Sequence, residues 1–383
     1  MRILFYLPVV TPWWFASIIV PMLRTLQADR RAELHVMIAP LWHGTGITAE
    51  NLGAAADLTE VQWHIIDEGD PADFRRDAAR VPGLLDLVHA IAPDLTLCRS
   101  AEQATPSQFP GAVRYIMEGA AAPFEADIRW IVLEETLFAY GAMPAGGAEI
   151  GARVADALTP LFARARQRLA VEPVQGWRDA FRLPGDRPIL CVPLQYEHEE
   201  DLFIEHSAFP RAVDLITHLL RATDPSVFLA ITDHPLNRRH VDRSAVDALI
   251  AAHPDRARLC LTDDLPLGAT GLLATRADAV LVDQSKCWSI AAFGGTPIVH
   301  VGNFPLAAWL SAATDPAAVP RHLMRPDTEM ARRWFGWHLG ARLLDSAAFT
   351  LDDLLTRVAG AWDESTITAN LDRLIAQPLK AAA

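Results

Sequence analysis

Three short stretches of this 383-residue chain gather side chains suited to holding an anion. They are Pro193-Leu194-Gln195-Tyr196-Glu197-His198, Thr232-Asp233-His234-Pro235-Leu236-Asn237-Arg238-Arg239-His240 and Asp283-Gln284-Ser285-Lys286-Cys287-Trp288-Ser289. Each follows a short apolar run of strand type, and in doubly wound sheets ligands lie beyond the carboxyl ends of the strands. Ser285 opens an expected helix, where a hydroxyl meets unsatisfied N–H groups and the positive end of the helix dipole. Ser289 lies one turn on, so that both hydroxyls would face a phosphate with Lys286 between them. Ser285 would serve equally well as an ordinary N-cap. Pro235 biases His234 toward extended backbone and so presents its ring outward from the strand end, although a histidine after a strand is often structural. Arg238 and Arg239 suit a diphosphate or a carboxylate, or a plain solvated face. Gln195 adds an amide to the same rim.

The elements that must position these residues follow from apolar periodicity. Strands are expected at Arg2–Leu7, Glu33–Ile38, Val61–Ile66, Leu95–Cys98, Ala112–Met117 and Ile128–Leu133, with an amphipathic helix over Phe74–Ile91 stopped by Pro93. A long helical pattern over Ile150–Leu169 precedes Glu172–Arg187, a stretch of mixed charge with prolines and glycines. A second series then opens: strands Pro188–Val192, Val227–Ile231, Arg258–Leu261, Ala279–Val282 and Pro297–Val301, with helices Ala208–Ala222, Ser244–Ala252, Gly268–Ala274 and Lys286–Phe293 between them. Strands alternating with helices indicate mostly parallel sheets. The expected organisation is an α/β domain over 1–170, a linker at 171–187, a second α/β domain over 188–326 and C-terminal helices over 327–383. Two such domains in sequence imply a cleft between their sheets as the ligand site.

Composition narrows the chemistry. Lys plus Arg number 34 against 47 Asp plus Glu, a net charge of −13, which offers a poor field for nucleic acid. The four cysteines lie far apart without a CxxC pair, as buried reduced thiols do. Pro8 and Pro12 fall too early for a secretory apolar segment, and no long uninterrupted apolar run suggests a membrane span, so a cytoplasmic protein is expected. There is no GxxxxGK[ST], no GxGxxG after the first strand, no HExxH and no GxSxG, which argues against P-loop, dehydrogenase, zincin and hydrolase chemistry. No Asp-x-Asp follows a strand; Asp263-Asp264 and Asp352-Asp353 are adjacent pairs. No bound metal is therefore expected.

Four pieces in order, Pro193–Gln195, His234–Pro235, Ser285–Ser289 and Gly295–Pro297, make the chain similar to the capsule polysaccharide synthesis family, which includes bacterial Kdo transferases. His206-Ser207-Ala208-Phe209 and the strand-end element Arg114-Tyr115-Ile116-Met117-Glu118-Gly119 add to the resemblance, as does Leu97-Cys98-Arg99-Ser100. Two departures stand out: Met117 precedes Glu118 where the family often has a second acid, and Asp233 replaces a basic residue before the His-Pro pair. The resemblance implies a GT-B-like architecture, two Rossmann-like domains facing a cleft. It implies a glycosyltransferase using a nucleotide-activated sugar, such as CMP-Kdo or another acidic sugar, without a separate cofactor. The acceptor would be a surface polysaccharide or glycolipid, reached at most by peripheral membrane contact.

On this reading His234, Ser285, Ser289 and Lys286 stabilise charge developing on the leaving phosphate, Gln195 orients the nucleotide, and Pro235 and Arg238 line the same site. Glu118, following a strand on the acceptor side, is the general base or nucleophile; the alternative is a solvated acid on a turn. Two other readings stand beside it. A nucleotide-sugar epimerase of the same architecture would need several acids, of which Glu118, Glu134 and Glu135 are the obvious ones. A non-catalytic scaffold for polysaccharide assembly would use Trp13, Trp14, Phe15 and Trp42 as an interaction surface, residues that more often pack in a core.

Overall fold

The computed structural model describes residues 1–119, 121, 123–124, 129–171, 176–198, 201–261 and 268–376. Residues 172–175 of the expected linker, Ile128 of an expected strand and the pair Asp263-Asp264 lie outside that set. Among the described residues the first half carries strands β1 (Arg2–Tyr6), β2 (Glu33–Ile38), β3 (Val61–Ile65), β4 (Leu95–Cys98), β5 (Ala112–Glu118) and β6 (Trp130–Glu134). The second half carries β7 (Ile189–Pro193), β8 (Phe228–Thr232), β9 (Ala257–Leu259), β10 (Ala279–Val282), β11 (Ile298–His300) and β12 (Leu344–Asp345). Two sheets result, ordered β12-β6-β5-β4-β1-β2-β3 and β11-β10-β7-β8-β9.

The second sheet is wholly parallel, and so are β3, β2, β1, β4 and β5 of the first; β6 alone is reversed, pairing antiparallel with both β5 and β12. This is the Rossmann-like α/β class expected. Strands such as β7, β8 and β10 are buried at every position, because helices cover both faces of a parallel sheet and leave no polar side. One apolar core packs around Ile3, Phe5, Phe15, Leu23, Val36 and Leu97, and another around Leu190, Val192, Ile216, Leu229, Leu281 and Val299.

Several helices are shorter than their patterns suggest. The single helix expected over Phe74–Ile91 is a turn at Asp73–Arg76, a 3-10 turn at Ala78–Arg80 and a helix at Leu84–Ile91. Pro82 and Gly83, the latter at φ +73°, break it. The pattern at Ile150–Leu169 is likewise two helices, Gly147–Ala157 and Thr159–Val171, with Pro160 just inside the second. Strand β12, inside a stretch expected to be helical, completes the edge of the first sheet beside β6.

The chain divides into two compact units, but not at the expected linker. One comprises Met1–Ala120, Ile128–Leu137 and Ala341–Asn370; the other comprises Ala121–Asp127, Phe138–Gly340 and Leu371–Ala383. Helices Gly147–Ala157 and Thr159–Val171, assigned from sequence to the N-terminal domain, thus belong with the second sheet. The late segment Ala341–Asn370 returns to the first. The reason is a close helix crossing. A methyl group at Gly151 would overlap the Arg333 carbonyl, and one at Gly336 would overlap the Gly151 carbonyl. Helix Gly147–Ala157 and helix Thr328–Trp337 therefore meet backbone to backbone, and Gly340 packs on Val154 in the same seam. Arg332 pairs with Asp156 beside it.

Gly336→Ala should consequently lower stability by roughly 1–3 kcal/mol or more through overpacking. Gly53→Ala, in helix Ala49–Ala54 with open space where a methyl would go, should raise it by about 0.5–1 kcal/mol. Chemical denaturation of both variants checks the contrast; equal effects would contradict the crossing.

Candidate functional site

In the second unit, the ends of β7 and β8 are tied by a buried polar network. Asp233 has no exposed side-chain surface and accepts from Arg243 Nε and Nη2 at 3.1 Å each. Arg243 also reaches Glu197 Oε2 at 2.9 Å. Asn237, fully buried, donates to the Gln195 carbonyl and to Asp233 Oδ1 at 2.7 Å each, and accepts from Glu197 N–H at 2.8 Å. The loops after the two strands thereby become one rigid body. Charges removed from water in this way must find partners, and Asp233, the departure noted in the sequence, finds two arginines.

His234 stands on this base. Its Nδ1 accepts the Leu236 N–H at 3.3 Å, so the neutral ring carries its proton on Nε2. Burial pushes its pKa below the usual imidazole value, partly offset by the Asp233 charge. The ring lies 5.4 Å from that of Tyr196. Gln195 Nε2 is buried without a hydrogen-bond partner, a rare condition for an amide.

The turn after β10 is fixed from three sides. Ser207 Oγ donates to Asp283 Oδ2, Tyr140 Oη donates to the Gln284 carbonyl at 2.6 Å, and the Gln284 amide donates to the Phe203 carbonyl. Tyr140 is in turn stacked on Trp288 at 5.2 Å. Helix Cys287–Gly294 follows. Ser285 Oγ accepts the Cys287 N–H at 3.3 Å; it stands half-buried one residue before the N-cap position, which Lys286 holds. Asp283 Oδ1 and, at the end of the neighbouring β11, His300 Nε2 are also buried without partners. Burial raises the Asp283 carboxyl to about 6 and lowers His300 to about 4.

The structure thus brings Gln195, His234, Pro235, Ser285 and Lys286 to the carboxyl ends of one sheet, as expected, but two residues are otherwise committed. Ser289 is 2% exposed and donates back to the Lys286 carbonyl at 2.9 Å; it does not present its hydroxyl outward beside Ser285. Arg238 grips Asp247 with two hydrogen bonds of 3.0 and 2.9 Å and approaches Asp233 at 3.2 Å, so its charge is already neutralised. Sequence reasoning missed Arg243 and Asn237 as the scaffold of the rim. Their signal was Asp233 itself, a charge directly after a buried strand that had to be paired.

In the first unit Glu118 ends β5, one-third exposed, with Arg99 Nη2 at 3.3 Å. Gly119 follows because the backbone and side chain of Trp130 and the Leu343 side chain leave no room for a methyl there. Glu134 is paired with Arg342, and Glu135 with Arg114 at 3.1 Å. Trp14 and Phe15 are buried while Trp13 is 61% exposed, so the aromatic run near the N-terminus is largely core. Among the described residues no cluster of metal-ligating side chains occurs, and no helix is long and apolar enough to cross a membrane.

Asp283 generates a pH test. The native protein keeps its proton up to about pH 6, whereas an unfolded aspartate releases it near 3.8, so stability falls as pH rises through that window. Asp283→Asn should remove the loss, gaining about 3 kcal/mol over wild type at pH 7.5 and nothing at pH 3.5. Melting curves of both proteins across that range check it; a gap independent of pH would refute the burial argument.

No protein-family profile matches the chain, and no curated protein sequence does. Among solved structures it is similar to the Thermosulfurimonas dismutans KpsC β-Kdo 2,7 transferase, at 14% identity and TM-score 0.46 over 85% of this chain and 98% of that one. It is similar to the β-Kdo 2,4 transferase of the same KpsC at 10% identity and TM-score 0.38, covering 66% and 81%. A UDP-GlcNAc 2-epimerase from Neisseria meningitidis bound to UDP-GlcNAc gives 12% identity and TM-score 0.28, covering 94% and 98%. Kdo transferases, the class that the sequence motifs resemble, are thus among the structures to which the chain is similar.

Proposed function

We propose that the protein is a glycosyltransferase that moves a sugar from a nucleotide-activated donor to a glycan or glycolipid acceptor. The observation that carries this reading is His234: a neutral imidazole at the end of β8, with Nδ1 already used and Nε2–H left as donor. Such a donor stabilises charge developing on a leaving phosphate without itself carrying a charge that must be desolvated. Gln195 Nε2, buried and unpartnered, supports a role in orienting the nucleotide, and Ser285 with Lys286 at the start of helix Cys287–Gly294 supports phosphate binding. Arg238 contributes through the loop rather than through a free charge.

In the reaction, the bond from the anomeric carbon to the phosphate oxygen breaks and the acceptor hydroxyl oxygen bonds to that carbon. Glu118 takes the hydroxyl proton, and the nucleotide leaves with the electron pair. A CMP-linked keto-acid sugar such as CMP-Kdo is the donor class proposed, because a single phosphate places a modest demand on a rim where Arg238 and Arg243 are held by acids. Catalysis without a metal follows from the same donor set. An epimerase would draw on Glu134 and Glu135, and both are held in ion pairs.

CMP-, UDP- and ADP-linked sugars should be compared for their effect on the melting temperature, with CMP-Kdo giving the largest rise. His234→Ala should lower nucleotide affinity and turnover with little change in melting temperature. The opposite result, intact binding beside a drop of several degrees, returns the residue to a structural role. Glu118→Gln should abolish turnover and leave donor binding intact. Activity should persist in EDTA; loss on chelation, restored by Mg²⁺ or Mn²⁺, would overturn the metal-free mechanism.

A further inference from the structure

The run Thr11-Pro12-Trp13-Trp14-Phe15 has no counterpart in the motifs that carry the function, yet its Trp14 lies against Arg99, the partner of Glu118. Thr11 Oγ1 accepts the Trp14 N–H at 3.3 Å and caps the turn Pro12–Trp14, which continues into a π-helical turn, Phe15–Ile19. Wide turns of this kind inside helices occur often at functional sites. Trp14 is 7% exposed, and the Arg99 guanidinium carbon lies 4.1 Å from its ring centroid.

Arg99 is fixed at both ends. Its N–H donates to the Tyr6 carbonyl at 2.8 Å and its own carbonyl accepts the Val9 N–H at 3.1 Å, which sets its backbone between β1 and the loop after it. Its Nη1 donates to the Ile116 carbonyl at 3.2 Å, and its Nη2 meets Glu118 Oε1 at 3.3 Å. The side chain is 9% exposed. One planar fork therefore spans the backbone of β5, the carboxylate at the end of β5 and an indole from the loop after β1. A lysine ammonium on a flexible stem cannot make those three contacts together.

We propose that Arg99 is the positioning residue for the Glu118 carboxylate, with Trp14 as the platform that holds its guanidinium in place. This rests on the reading of Glu118 as the base. The carboxylate is anchored through Oε1 while staying one-third exposed, the arrangement a base needs to be both oriented and reachable. A base displaced by about 1 Å can lose on the order of 100-fold in rate, so the fork matters through geometry. Trp14 thereby works from inside the fold, and the exposed Trp13 is not required.

The test uses the full chain, the CMP-Kdo reaction, and carbodiimide labelling of Glu118 read by peptide mass spectrometry, which needs no substrate. Arg99→Lys keeps the charge and most of the bulk, so that it folds even if Arg99→Ala does not. It should lower kcat by 10- to 100-fold with the dissociation constant for CMP unchanged, and speed labelling of Glu118 several-fold. Trp14→Leu should move both readouts the same way by less, and free guanidinium should restore part of the activity of Arg99→Ala. Undiminished kcat and unchanged labelling in folded Arg99→Lys, beside an inactive Glu118→Gln, would overturn the proposal and leave the function standing. A fully active Glu118→Gln would overturn both.

Discussion

The buried pair of Asp233 and Arg243 is the constraint on which the candidate site depends. A carboxylate with no exposed surface, set directly after a central strand, is tolerable only if a cation meets it with good geometry. Arg243 does so with two hydrogen bonds and passes the link on to Glu197, while Asn237 joins Asp233 to the Gln195 backbone. Breaking such a pair leaves an uncompensated buried charge, at about 3–5 kcal/mol. The loops after β7 and β8 can therefore hardly move apart, and His234 and Gln195 inherit their positions from that rigidity.

The same pair sets the electrostatic character of the rim. Arg243 and Arg238 are both drawn to acids, Arg238 chiefly to Asp247, so neither adds a free charge to the rim. What remains at the strand ends is a set of oriented groups: an imidazole with a defined tautomer, an unpartnered amide and a hydroxyl at a helix start, with the exposed Lys286 beside them. Oriented dipoles in a site of low dielectric stabilise charge with little reorganisation.

Close packing plays the corresponding part elsewhere. Gly151 and Gly336 allow two helices far apart in sequence to touch backbone to backbone, and that contact decides which unit each helix joins. Gly119 allows β5 to run close against Trp130 and Leu343 while Glu118 stands at its end. In each case the absence of a side chain carries the information. Nothing in the local apolar pattern distinguishes such a glycine from one in an open turn.

The sequence by itself determined the α/β class, nearly every strand and the segments that hold the candidate site. Continuous apolar runs such as Ile189–Val192 and Ala279–Val282 have no other stable destination than a covered parallel sheet, and polar residues directly after them must emerge at its carboxyl edge. It also contained the departure at Asp233, though not the identity of its partners. Three matters were settled only by tertiary structure. Ser289 and Arg238, plausible anion ligands by residue type, were taken up by the Lys286 carbonyl and by Asp247, because hydrogen-bond partners are chosen by distance in space. The unit boundary moved because two glycines meet across a gap of some 185 residues in the chain. Arg99 and Trp14 came together with Glu118 because strand order places β4 between β1 and β5, a neighbourhood that depends on how the sheet is assembled and that no local pattern of residues encodes.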